Sequence, residues 1–109
     1  MSPGDDPTDD MTDDIGGFAL PPFNAEHAHA QMKRALRDAK LAERGPGFEL
    51  RGKRVAELVV NGAAIDARLA RKLALTPEWD RSTLKNAAEQ RKWLDDFKKR
   101  LARWEAGED

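Results

Sequence analysis

At 109 residues with no cysteine and a formal net charge of −1, the chain is one modest domain at most, and disulfide staples, thiolate nucleophiles and zinc–cysteine sites are excluded. The charge is split by position: residues 1–23 carry six aspartates and no basic side chain, and the remainder sums to +5. No stretch approaches the roughly 18 consecutive apolar residues of a membrane span, and an acidic start is unlike a secretion signal, so a soluble, cytoplasmic protein is expected.

Residues 1–14, MSPGDDPTDDMTDD, have almost nothing apolar to offset the entropy of ordering and predict a disordered acidic leader. Ile15 to Phe23 differs. Ile15, Phe18, Leu20 and Phe23 are apolar, in a run that Gly16, Gly17, Pro21 and Pro22 keep from being helical. This reads as an extended strap that either packs on its own domain or docks in a partner's groove with acidic flanks for steering. The division is therefore 1–23, leader and strap, followed by 24–109, a helical domain.

A first helix is predicted from Ala25 to Arg44, with Asn24 as N-cap and Gly45-Pro46 as the stop. Ala28, Met32, Ala35, Leu36, Ala39 and Ala42 give it one small-residue face. Residues 47–52 are a connector. The middle of the chain is ambiguous: Asn61-Gly62 is the dipeptide of a type I′ hairpin, yet Val55, Leu58, Val59, Gly62, Ile65, Leu69 and Leu73 form one stripe at spacings of three and four. That stripe favours a helix over Lys53–Ala74, with two short helices or a hairpin as alternatives. Thr76-Pro77-Glu78 has the signature of a helix start, and helical pattern runs from there to Trp104, with Leu84, Leu94, Phe97, Leu101 and Trp104 on one face and Trp93 beside it. The expected fold class is all-α, a small antiparallel three-helix bundle behind a disordered leader.

Catalysis lacks parts. The only histidines are His27 and His29, the only serines Ser2 and Ser82, and tyrosine is absent, so no base–nucleophile pair is evident and no enzyme is expected. On a helix, His27 and His29 point about 200° apart, whereas metal-binding pairs use i, i+4. No metal site and no cofactor follow. The expected function is a non-catalytic protein–protein interaction module: a small adaptor, regulator or assembly subunit that binds another protein or itself as a homodimer. Its anchors are Phe18, Leu20 and Phe23 in the strap, with Trp93, Leu101 and Trp104 on the last helix. The rival is a nucleic-acid-associated protein using Arg51, Lys53, Arg54, Arg68, Arg71 and Lys72, with the acidic leader as an autoinhibitory mimic. That basic set has no interleaved aromatic for stacking on bases.

Overall fold

The computed structural model describes residues 23–107, and in it the chain runs through α1 (Ala25–Asp38), β1 (Ala42–Arg44), β2 (Gly47–Leu50), β3 (Lys53–Asn61), β4 (Ala64–Ala70), β5 (Trp79–Leu84) and α2 (Ala87–Glu105). The five strands pair in sequence order as one antiparallel meander. The all-α three-helix bundle is thereby overturned: two helices flank a sheet, and most of the expected middle helix is a β-hairpin. The leader and strap, apart from Phe23, lie outside the described residues.

Each misplaced helix has a local reason. α1 begins at the Asn24 cap, whose side chain accepts from His27 N, but it stops at Asp38. Lys40 sits there in the left-handed region, and Leu41 and Lys40 return their N–H groups to Leu36 and Arg37. Gly45-Pro46 turns a hairpin instead, joining Arg44 to its partner Gly47. Arg51 and Gly52, both at positive φ, form the next turn, closing Leu50 on Lys53. Gly62, at φ 61°, opens the third turn between Asn61 and Ala64. From Ile65 to Leu69, apolar and polar side chains alternate strictly, the period of a strand covered on one face. The Thr76-Pro77-Glu78 signal lies in the loop before β5, and the real helix start comes ten residues later. There Asn86 caps Glu89 N, and the Glu89 carboxylate accepts from Lys85 N at 2.7 Å.

Both helices lie on one face of the sheet. Met32 and Leu36 from α1 and Trp93, Phe97, Leu101 and Trp104 from α2 pack with Phe48, Leu58, Ile65 and Leu69 beneath them. A bulge at Val55 lets consecutive residues, Val55 and Ala56, both be buried. The other face is open and charged, as one-sided antiparallel sheets usually are. α2 is clamped to β4 and β5 by Arg100, which donates to Ala70 O at 2.9 Å and to Asp80 Oδ2 at 2.7 Å. Among the described residues no helix is long and apolar enough to cross a membrane.

Candidate interaction surfaces

Three surfaces can meet a partner: the open sheet face, the two sheet edges, and a groove beside α1. On the open face the register aligns Arg44, Gly47, Glu57, Arg68 and Arg81 in one row across all five strands. Gly47 has no side chain, and the Arg54 guanidinium lies over it, where a Cβ would come within 2.5 Å of Arg54 Cζ. The row therefore presents four arginines. They are largely neutralised in place: Arg54 meets Glu57 at 2.9 Å, Arg68 meets it at 3.5 Å, and Arg44 meets Glu49 at 3.2 Å. Arg81 pairs with no carboxylate of the described residues.

The structure does not bring the six basic residues of the nucleic-acid reading together. Arg54 and Arg68 share the open face. Arg51, at the β2–β3 turn, donates to Trp104 O at the end of α2, and Lys53 is half-buried next to that turn. Arg71 binds Asp80 at 2.8 Å and Glu78 at 3.5 Å, and Lys72 is exposed in the β4–β5 loop. Hydrogen bonds from Arg71 and then Arg100 hold the Asp80 carboxyl below its ordinary value, and Asp80 in turn raises the Arg71 guanidinium. This cluster ties a loop and a helix to the sheet rather than leaving cations free for phosphate.

The expected protein anchors fare unevenly. Trp93, Leu101 and Trp104 are core, at 4%, 9% and 1% exposed, and Trp93 stacks on Phe97 with centroids 6.0 Å apart. Leu101 and Trp104 are spent inside the fold, and Trp93 keeps only a small edge, which lines a groove beside β5. Phe23 is half-buried against the core, while Phe18 and Leu20 lie outside the described residues.

The sheet has two edges, and they differ. β1 is three exposed residues long, and Glu43 on it is engaged by Lys33 at 2.8 Å and Arg37 at 3.3 Å; the Lys33 hydrogen bond holds its carboxyl below the ordinary range. A short edge crossed by ion pairs is guarded against strand addition. β5 is six residues long and, among the described residues, has a strand on one side only. Peptide groups alternate sides along an antiparallel strand. Counting from the two-residue turn at Gly62-Ala63, Asp80, Ser82 and Leu84 direct their N–H and C=O toward β4, leaving Trp79, Arg81 and Thr83 to direct theirs outward. Alongside this edge a groove of about 200 Å³ runs between β5 and α2, lined by Ser82, Thr83 and Leu84 on one side and Glu89, Lys92, Trp93 and Asp96 on the other. The Trp93 indole N–H beside it is buried with no acceptor among the described residues.

This β5 edge had no signal in the sequence once residues 77–84 were read as helix, and Arg44 and Arg81 join a row only when the register is known. No protein-family model matches this chain, and neither a curated protein nor a solved structure shows significant similarity to it.

Proposed function

We propose that this chain is a non-catalytic protein-interaction module that takes an extended segment of a partner chain along β5. The observation that carries the reading is the exposed edge itself: outward-facing peptide groups at Trp79, Arg81 and Thr83 beside a groove walled by a helix. Strand addition of this kind draws affinity from main-chain hydrogen bonds and specificity from pockets for alternate side chains. On the helix side, such a segment would set every second residue toward Leu84 and Trp93, favouring small apolar side chains. On the open side it would meet Arg81 and then Arg68, favouring carboxylates. A partner that alternates apolar and acidic residues fits both faces. Arg81 on an edge also disfavours pairing of β5 with a second copy about that residue, where like charges would face each other.

The alternation gives a clean test. Thr83→Pro removes an outward N–H and no ladder bond, a position where edge strands accept proline. Ser82→Pro removes a bond to β4 and is expected to unfold the edge. Immobilised full-length protein should retain a specific protein from extracts of the cells that express it, and folded Thr83→Pro should lose it. Equal recovery by both would sink strand addition at β5. If wild type is instead a salt-insensitive dimer by light scattering and Thr83→Pro a monomer, the partner is a second copy.

A further inference from the structure

We propose that Arg68 and Arg81 form an anion-binding pair on the open face, and that it takes a phosphorylated serine or threonine of the segment lying along β5. The proposal rests on strand addition at that edge and names the charged position of the partner. Arg68 and Arg81 are direct cross-strand partners. Arg68 turns its peptide groups to β3 and Arg81 turns its own outward, so the pair is of the non-hydrogen-bonded kind, with Cα atoms about 4.5 Å apart. Like charges set directly opposite destabilise a sheet, and Arg81 is exposed with no carboxylate of the described residues to relieve it. Glu57 serves the far side of Arg68: Arg54 meets its Oε2 at 2.9 Å, and Arg68 meets its Oε1 at only 3.5 Å. Asp66, in the next row, accepts from Asn61 Nδ2 at 3.0 Å.

The charge balance favours a dianion. Arg54, Arg68 and Arg81 set three positive charges against the single carboxylate of Glu57. A partner carboxylate would cancel one of the two left over. A phosphoryl group carries about −1.5 to −2 near pH 7 and three acceptor oxygens, enough for two guanidiniums. Position agrees. In an antiparallel added strand, the residue opposite Arg81 exchanges both backbone hydrogen bonds with it and turns its side chain to the open face. Arg68 stands one strand further in, about 4.8 Å away, within reach of its long side chain. The residues opposite Trp79 and Thr83 share that face but meet an aromatic ring and a hydroxyl. The residue opposite Ser82 turns into the groove beside Leu84 and Trp93. The partner therefore presents one phosphorylated residue immediately preceded by an apolar one.

Three probes test this by titration, at constant ionic strength, into ¹⁵N-labelled full-length protein: inorganic phosphate, the peptide acetyl-Thr-Val-phosphoserine-Ser-Thr-amide, and the same peptide with aspartate in place of phosphoserine. The arginine Nε–Hε resonances are the readout. The phosphopeptide is expected to shift Arg68 and Arg81 saturably, to leave the exposed helix arginines Arg34 and Arg103 unmoved, and to bind about tenfold more tightly than either other probe. Arg81→Gln should abolish the shift at Arg68 as well; it alters an exposed side chain with no ion pair among the described residues, so the fold is not at stake. Equal binding of the two peptides, or shifts spread evenly over the exposed arginines, overturns the proposal. So does a phosphopeptide that binds no more tightly than phosphate, which would make the pair a site for the free anion. Thr83→Pro separates this inference from the reading it rests on. It should remove the peptide's advantage over phosphate and leave the phosphate shifts at Arg68 and Arg81 in place. An advantage that survives Thr83→Pro would overturn strand addition at β5 while the anion pair stands.

Discussion

Lys40 holds φ 72° at the end of α1, a conformation most L residues avoid because Cβ crowds the following carbonyl. It does so because Lys40 is the turning residue of a Schellman motif: its N–H returns to Arg37 O at 2.9 Å, and that of Leu41 to Leu36 O at 3.3 Å. The contact between Leu36 and Leu41, both buried, accompanies those bonds and holds the turn against the local preference. Glycine would keep the bonds and shed the crowding. Lys40→Gly is expected to stabilise the protein by about 0.5–1 kcal/mol in urea denaturation; a loss would mean the lysine side chain contributes something the backbone account omits. Asp80 offers a second test at this scale. Its folded carboxyl is held down by Arg71 and Arg100, so its contribution is fully present above the ordinary carboxylate range and is lost as pH falls through the depressed folded value. The stability difference between wild type and Asp80→Asn should be constant above about pH 5 and shrink steadily below about pH 4. A difference that persists unchanged to about pH 2 would assign the effect to packing.

At the scale of elements, what the sequence disclosed follows from how strong each local signal was. The N-cap at Asn24 and the apolar face of α1 were readable, as was the face of Phe97, Leu101 and Trp104 on α2, because long amphipathic stretches carry their own period. The β3–β4 hairpin is hidden in the sequence behind a helical stripe for two physical reasons. The bulge at Val55 puts two buried residues in succession and breaks the alternation, and the inward residues Ala56 and Ala67 are too small to mark it. The stripe of threes and fours then joined Leu58 on one strand to Ile65 and Leu69 on the other, while including Gly62, which is exposed in a turn. Had the inward set been read as residues 56, 58, 60, 65, 67 and 69, period two would have been unbroken on either side of Gly62-Ala63. β5 was hidden differently. Its apolar residues stand at its two ends, and Thr76-Pro77-Glu78 imitates a helix start although pairing with β4 decides the outcome. The groove beside β5 went unseen with it. Arg54 and Arg68 were singled out as basic, yet only the register shows that Glu57 stands between them.

At the scale of the molecule the decisive feature is asymmetry between the faces of one sheet. The described chain lays down five strands through three two-residue turns and one eight-residue loop and places its two helices on the same side, where Gln90 of α2 meets Gln31 of α1 at 3.3 Å. Among the described residues the large buried side chains form one cluster between helices and sheet, so stability there depends on filling volume; on the open face it depends on ion pairs screened by water. Phe97, 1% exposed, stacks on Trp93 in the middle of the layer. Phe97→Ala leaves a cavity and is expected to cost about 3–5 kcal/mol, a large part of the roughly 5–10 kcal/mol available to a domain this size. Arg68→Thr removes a 3.5 Å ion pair on a side chain 42% exposed and places a strand-favouring residue on the sheet, so its cost should stay within about 0.5 kcal/mol. Urea midpoints for the two variants measure the contrast directly. Comparable losses would mean that the open face is covered in solution, and the arginine row would then have to be treated as an interface; a small loss at Arg68 leaves it a solvated face.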